Sequence, residues 1–333
     1  MRAPSDTKPG MTQSAASKAL HLVSIGQAPE ALVVLNTGVE RGDVDAVMQL
    51  AVWYLAGDIV SRDLAKARTL LARAVSIGHV DAALMEIALT ANGSGGKADW
   101  PAALALLRTA ARNDPIALEQ LALLEAMAID VAGAPIALPA QEILSASPDV
   151  IRFPKFFTPA ECAHLASVAA TMLEPARVID PRTGRWIAHP IRTSDGTAIG
   201  PARENLVVRA LNQRIAAASG TKIAQGEPLT ILRYRPGQQY RLHLDTIQDA
   251  ANQRIATVLI YLNEGYGGGE THFPASNLTI TPRGGDAIVF RTLTRDGAID
   301  QSSRHAGLPV VQGAKWLATR WIRAEPIDPW TIS

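Results

Sequence analysis

Two periods of apolar residues divide the chain. Between residue 19 and about 140 they recur at intervals of three and four, the spacing of one helical face. Ala46, Leu50 and Tyr54 form one stripe; Gly57 interrupts it, and Ala67, Leu70, Leu71 and Ala74 form the next. The pattern repeats. Arg41-Gly42-Asp43-Val44-Asp45-Ala46 returns 36 residues later as Ile77-Gly78-His79-Val80-Asp81-Ala82. At the same offset Gly57 meets Gly93, Asp63 meets Asp99, Ala67 meets Ala103, Leu70 meets Leu106 and Ala74 meets Ala110. A half copy precedes at Pro29–Gly42, and a fainter third copy starts near Asn113. Paired helices repeated in this way bury their apolar faces only against their neighbours, so residues 19–140 are expected to stack as a solenoid. Residues 1–18, rich in Ser, Thr, Pro and charge, read as a disordered tail.

From about Pro139 the period changes. Ala160–Leu173 reads as one amphipathic helix, with Thr158 as N-cap and Pro159 at the first helical position. Val207–Ser219 is a second helix. The remaining apolar runs are strand-like: Leu229–Tyr234, Tyr240–Asp245, Ala256–Asn263, Leu278–Pro282, Asp286–Arg291 and Lys315–Ile322. Turn residues separate them at Pro236-Gly237, Gly265–Gly269, Arg283-Gly284-Gly285 and Asp296-Gly297. Strands of this number and spacing predict a jelly roll, the double-stranded β-helix, over residues 141–333. The fold class is therefore α + β multidomain, an α-helical repeat solenoid followed by a β-jelly roll.

Composition narrows the chemistry. The chain of 333 residues is long enough for two cores. Its 32 Lys+Arg balance 31 Asp+Glu, leaving no field that would hold nucleic acid or an anionic membrane. Cys162 is the single cysteine, which excludes an internal disulfide and any multi-cysteine metal site. The first residues contain no continuous apolar run, and Ile116–Leu138 is broken by Glu119, Gln120, Glu125 and Asp130. Neither a secretory signal nor a membrane span is expected, and the cytoplasm is the expected location.

Metal chemistry then falls to the histidines and carboxylates. In Tyr240-Arg241-Leu242-His243-Leu244-Asp245, a strand would project His243 and Asp245 to one face and pack Leu242 and Leu244 on the other. Alone, an H-x-D pair also fits a core-edge strand with a satisfied histidine. His305, after three further strand signals, offers a third ligand. Two histidines and one carboxylate are the facial set of non-haem Fe(II), which leaves coordination positions open. Lys315 opens the next strand. A lysine pointing into an apolar barrel needs an anion, and a dicarboxylate co-substrate supplies one; alone, Lys315 also fits a solvated strand residue.

Longer blocks carry a family resemblance. They run Tyr234-Arg-Pro-Gly-Gln-Gln-Tyr240-x-x-His243-x-Asp245, Arg254-x-x-Thr257-x-x-x-Tyr261-Leu-Asn, and Gly268-Gly-Glu-Thr271-x-Phe-Pro. They continue through Gly285-Asp-Ala-x-x-Phe290, Asp296-Gly-x-x-Asp300, Ser303-x-His305-x-Gly-x-Pro-Val and Gly313-x-Lys315-Trp-x-x-Thr-x-Trp321-Ile. In order and spacing, Leu229–Ala324 resembles the catalytic domain of the prolyl 4-hydroxylase family of 2-oxoglutarate- and Fe(II)-dependent dioxygenases. A weaker likeness reaches upstream through Arg192-Thr193-Ser194-Asp195-Gly196. The N-terminal pattern A-x-x-x-L-A-x-x-Y-x-x-G resembles Sel1-like repeats, relatives of the tetratricopeptide class. The second unit departs from it, with Glu86 and Thr90 in place of Leu50 and Tyr54.

The resemblance implies that His243, Asp245 and His305 bind iron and that Lys315, Tyr234 and Thr271 bind 2-oxoglutarate. It implies that Tyr240, Arg254 and Trp321 line a peptide groove. No catalytic residue beyond the metal ligands is implied. O2 is the oxidant, ascorbate is admitted as an auxiliary reductant, and succinate and CO2 are the co-products. Two positions depart from the family: Arg323 stands where histidine is frequent, and Leu242 where proline is usual. His272, beside Thr271, reads as a strand or pocket-rim residue rather than a ligand. The leading expectation is hydroxylation of proline in a peptide or protein. Hydroxylation of a free amino acid or other small molecule is the alternative, and a repeat scaffold with a vestigial iron site is a third. The repeats either mediate protein contacts or support the catalytic domain.

Overall fold

In the computed structural model the described residues are 14–179, 182–281 and 283–331. The repeat offset reappears in the helix boundaries. The helices are α1 (Ala15–Ser24), α2 (Ala28–Glu40), α3 (Val44–Ala56), α4 (Leu64–Ser76), α5 (Val80–Asn92), α6 (Trp100–Ala110) and α7 (Pro115–Glu125). Helices α3 and α5 begin and end 36 residues apart. Asp43 and His79 cap their first turns, and Gly57 and Gly93 end them in the left-handed region at φ +82° and +80°. A Cβ at Gly93 would lie 2.8 Å from the Ala98 nitrogen, so glycine is required there twice over. Asp63 and Asp99 cap α4 and α6 in the same way. Ala19, Ala31, Leu35, Ala46, Leu50 and Trp53 form a buried core among the first helices. In the second unit Arg68 explains the departures: it donates to Glu86 Oε1 at 3.1 Å from Nε and to Thr90 at 2.7 Å from Nη2.

Three expectations change here. Helix α1 starts at Ala15 with Ser14 as its cap; the predicted tail therefore does not extend to residue 18, and its residues 1–13 lie outside the described residues. The third copy keeps only α7. After it, Asp130 Oδ1 accepts from the N–H groups of Ala132 and Ala134 at 2.8 and 2.9 Å. That local turn competes with a second helix, and Ile129 bridges Pro135 instead. The chain divides into two compact units between Ala117 and Leu118, upstream of the change in period near residue 140. No helix among the described residues is long and apolar enough to cross a membrane.

Past α7 the second unit continues with β1 (Glu142–Ala146) and β2 (Asp149–Phe153), followed by α8 (Pro159–Ala170). Thr158 and Glu161 form a reciprocal cap on α8, which ends three residues before the predicted Leu173. Next come β3 (Glu174–Pro175), β4 (Arg177–Ile179), β5 (Trp186–Ala188), β6 (Asp195–Ile199), α9 (Leu206–Ser219) and β7 (Leu229–Tyr234). Strands β8 (Tyr240–His243), β9 (Arg254–Tyr261), β10 (Gly267–Gly268), β11 (Thr271–Phe273) and β12 (Leu278–Ile280) follow. The last are β13 (Ala287–Arg291), β14 (His305–Gly307), β15 (Val310–Gln312) and β16 (Lys315–Arg323). Residue 282, the predicted end of the Leu278–Pro282 strand, lies outside the described residues.

A major sheet in the order β1-β2-β13-β9-β16-β7-β6-β3 faces a minor sheet in the order β12-β11-β14-β8, as in a jelly roll. Between them Leu232, Tyr234, Leu259, Tyr261, Phe273, Phe290 and Leu317 form the core. The strand period decides which residues reach it. On β9 it points Thr257, Leu259 and Tyr261 inward, and on β16 Lys315, Leu317, Thr319 and Trp321. Helices α8 and α9 pack near β7 and β9. One end of the sheet-to-sheet core stays open, and the chemistry gathers there.

Candidate active site

His243 ends β8, His305 begins β14, and the two residues face each other in register across the minor sheet. Asp245 sits in the turn past β8. His243 Nε2 lies 3.5 Å from Asp245 Oδ1, and His305 Nε2 lies 3.8 Å from Asp245 Oδ2. All three residues are buried, and their donor atoms lie within 4.8 Å of one another, close enough to share one metal ion. The route to this cluster differs from the predicted one. The strand stops at His243, so a turn rather than a common strand face brings Asp245 round. Leu242, expected to pack on the opposite side, is 47% exposed.

The surroundings prepare the donors. His243 Nδ1 lies 2.8 Å from the Arg241 carbonyl and His305 Nδ1 lies 3.1 Å from that of Ser303. Each Nδ1–H can donate there, which leaves Nε2 with its lone pair toward the metal. Burial pulls the His305 imidazolium down to about 4, so the ring is neutral near pH 7. Burial opposes ionisation of Asp245, but His243, His305 and the Thr257 hydroxyl outweigh it and hold the carboxyl well below its usual range. Thr257 Oγ1 donates to Asp245 Oδ2 at 2.6 Å. Aromatic faces exclude water: Tyr240 stacks on His243 at 3.5 Å between centroids, and Phe290 meets His305 at 4.7 Å.

The same pocket holds the predicted co-substrate residues, Lys315, Tyr234 and Thr271. Lys315 and Tyr234 are register partners on β16 and β7, and Thr271 Oγ1 lies 2.8 Å from the Tyr261 hydroxyl. Lys315 is 3% exposed and donates to the Gly269 carbonyl at 2.6 Å. Among the described residues no carboxylate forms an ion pair with it. Thr319 Oγ1, two positions past Leu317 on the inward face, is buried without a hydrogen-bond partner. A buried ammonium and an unpartnered hydroxyl beside a His-Asp-His cluster are the groups that a dicarboxylate chelating iron would satisfy. The residues present therefore fit Fe(II) and 2-oxoglutarate.

Beyond the pocket runs an open groove of about 890 Å³, which shares Leu232, Tyr240 and Trp321 with it. The three predicted groove residues meet at this mouth. The Arg254 guanidinium lies 4.2 Å from the Trp321 ring centroid and donates to both Glu227 oxygens at 2.7 and 2.7 Å. Arg323 also pairs with Glu227 and donates to the Asn252 carbonyl at 2.6 Å. Arg192 lies 5.7 Å from the Tyr240 ring. His272 is outside the cluster, its Nδ1 2.9 Å from Thr279 Oγ1.

Four residues at the site escaped assignment from sequence: Thr257, Thr319, Arg192 and Glu227. The first two were accessible by counting in twos, Thr257 from Tyr261 and Thr319 from Lys315. Glu227 precedes β7 and pairs with arginines far along the chain, so no local signal marks it.

Residues 229–323 match the family model described as the 2OG-Fe(II) oxygenase superfamily. Prolyl 4-hydroxylase 1 of Arabidopsis thaliana is 34% identical over 201 residues, 55% of this chain and 71% of that protein. Probable prolyl 4-hydroxylase 10 of the same plant is 35% identical over 206 residues, with the same shares of 55% and 71%. Among solved structures, the viral collagen prolyl hydroxylase of Paramecium Bursaria Chlorella virus-1 is 28% identical, covering 53% of this chain and 96% of that chain with a TM-score of 0.43. On its identity to relatives matched over more than two thirds of their length, the chain belongs to the prolyl 4-hydroxylase family of 2-oxoglutarate- and Fe(II)-dependent dioxygenases.

Proposed function

We propose that this dioxygenase hydroxylates proline within a peptide or protein segment, consuming O2 and 2-oxoglutarate and releasing succinate and CO2, with ascorbate as auxiliary reductant. The observation that carries the reading is the open groove beside the ligand cluster's pocket, the two sharing Leu232, Tyr240 and Trp321 as lining. A free amino acid would need a closed pocket to hold it. A chain needs a trough on either side of the residue that enters.

His243, Asp245 and His305 would hold the iron, and Lys315, Tyr234 and Thr271 the 2-oxoglutarate. Together these bound groups supply the oxidising power for C–H hydroxylation. The remaining work belongs to the protein. The Arg241 and Ser303 carbonyls fix the two imidazole tautomers, and Thr257 fixes the carboxylate. The Lys315 ammonium would pair with a carboxylate of the co-substrate. Tyr240, Phe273 and Phe290 keep water from the ligand cluster. Trp321, held flat by Arg254, forms a wall against which a proline ring can lie. Positioning of this kind, rather than acid–base catalysis by a side chain, is what the protein contributes.

The test supplies Fe(II), 2-oxoglutarate and ascorbate to the full chain. It then follows succinate release and the addition of one oxygen to proline-containing peptides by mass spectrometry, with free proline in parallel. The expected result is oxygen on peptidyl proline, abolished by His243→Ala. Oxidation of free proline alone would overturn the reading.

A further inference from the structure

The groove has a higher ratio of basic to acidic side chains than the chain that forms it. The whole sequence balances 32 Lys+Arg against 31 Asp+Glu. The charged lining of the groove is Arg177, Arg192, Arg254 and Arg323 against Glu174 and Glu227. Glu227 is already committed, since Arg254 grips both of its oxygens and Arg323 shares one. One carboxylate thus serves two guanidiniums, and that wall keeps a net positive charge. Across the mouth, the Arg192 Nε is buried with no hydrogen-bond partner. Among the described residues no carboxylate pairs with Arg192 or Arg177.

Clustered guanidiniums in a half-enclosed trough repel one another and focus potential on whatever enters. A carboxylate relieves that repulsion and meets the planar fork in two hydrogen bonds. The floor beneath is made of small residues, Gly196, Ala198 and Thr230. A Cβ on Gly196 would come within 2.7 Å of Leu232 Cδ2, so glycine is needed beside that side chain. Arg192 lies 5.7 Å from Tyr240, whose ring lies 3.5 Å from His243. At about 3.4 Å per extended residue, a carboxylate at Arg192 belongs to a near neighbour of the residue at the metal.

We infer that this groove selects peptide segments carrying acidic side chains beside the residue to be hydroxylated. The inference rests on the peptide-hydroxylase reading above and adds the substrate class. Arg323 is central to it, because a histidine at that position would leave Glu227 to neutralise Arg254 alone.

Three peptides with one central proline, flanked by Glu, by Gln or by Lys, test the inference on the iron- and 2-oxoglutarate-loaded full chain. Oxygen incorporation on proline should give kcat/KM in the order Glu, Gln, Lys, with about fivefold or more per step. The spread should shrink as salt is raised. In Arg177→Glu the ratio of Glu-peptide to Lys-peptide kcat/KM should fall, a comparison made within one protein sample and independent of how much of it folds. Equal kcat/KM for the three peptides, or a Lys preference, overturns the inference and leaves the hydroxylase reading intact. Oxidation of free proline with no oxygen on any peptide overturns both.

Discussion

Replacing Thr257 by valine should weaken metal binding without disturbing the fold. Asp245 is the one anionic member of the ligand set, and Thr257 is the side chain that donates to it, at 2.6 Å. Thr257 is fully buried and Asp245 5% exposed, so water cannot replace the lost donor. A hydrogen bond to a charged acceptor contributes about 1.5–3 kcal/mol. At about 1.4 kcal/mol per factor of ten, that corresponds to a rise of about 10- to 100-fold in the metal Kd, the range found for groups that support a metal ligand. Valine keeps the branched shape on the inward face of β9, where Thr257 faces Trp321 and Phe290 in register, so the sheet should persist. Anaerobic Fe(II) titration, or Co(II) followed by its visible spectrum, measures the effect. Thr257→Ser restores the donor and should return the Kd to within about threefold of wild type. A valine variant that binds metal as tightly as wild type would show that the Thr257 hydroxyl does not support the Asp245 carboxylate. A serine variant as weak as the valine one would assign the effect to packing instead.

Further outcomes follow from other buried groups. Burial pulls the Lys315 ammonium down to about 7 from the ordinary 10.5. The cost of charging it in the ligand-free protein is therefore full below about 7 and fades as pH rises toward 10.5, so this group makes ligand-free stability increase with pH across that window. A bound dicarboxylate favours the ammonium, so 2-oxoglutarate binding at a pH near 8 should take up a proton, seen by calorimetry in buffers of different ionisation enthalpy. Lys315→Arg should bind with no uptake; a wild-type binding enthalpy independent of buffer would count against the assignment. Gly226→Ala should cost about 1–3 kcal/mol, read by chemical denaturation, because its Cβ would lie 2.2 Å from Arg320 Nε. Arg320 cannot easily yield, since it holds the carbonyls of Asn212, Glu227 and Ile223 at 3.0, 3.1 and 3.2 Å. In the repeats, Arg68→Ala should destabilise by about 1–3 kcal/mol by leaving Glu86 without its partner. The double variant Arg68→Leu/Glu86→Leu should recover most of that loss, because it recreates the Leu32 and Leu50 positions one repeat earlier.

Local patterns were legible wherever the code is local. The 36-residue offset foretold the matching ends of α3 and α5, and Thr158-Pro159 foretold the start of α8. The failures share a cause. The tail boundary cut off the first turn of α1, residues 15–18, which is capped by Ser14 and held where Ala15 and Ala19 pack with residues of α2 and α3. Strands of two or three residues, such as β3, β10 and β14, are too short to show a period and form because a partner lies alongside. Asp245 reaches the cluster by a route other than the expected one: H-x-D spacing suits a strand, but the chain leaves the ladder after His243.

The solenoid period, the jelly-roll class and the residue types able to bind iron and a dicarboxylate are written along the chain, because these depend on spacing within single elements. Tertiary structure decided the rest. Only sheet pairing brings His305 beside His243 and Lys315 beside Tyr234. Only the folded groove places Glu227 between Arg254 and Arg323. Charge balance along the chain is close to neutral, yet Coulomb interactions depend on separation in space, so an even total can fold into a positive trough at the mouth of the metal site.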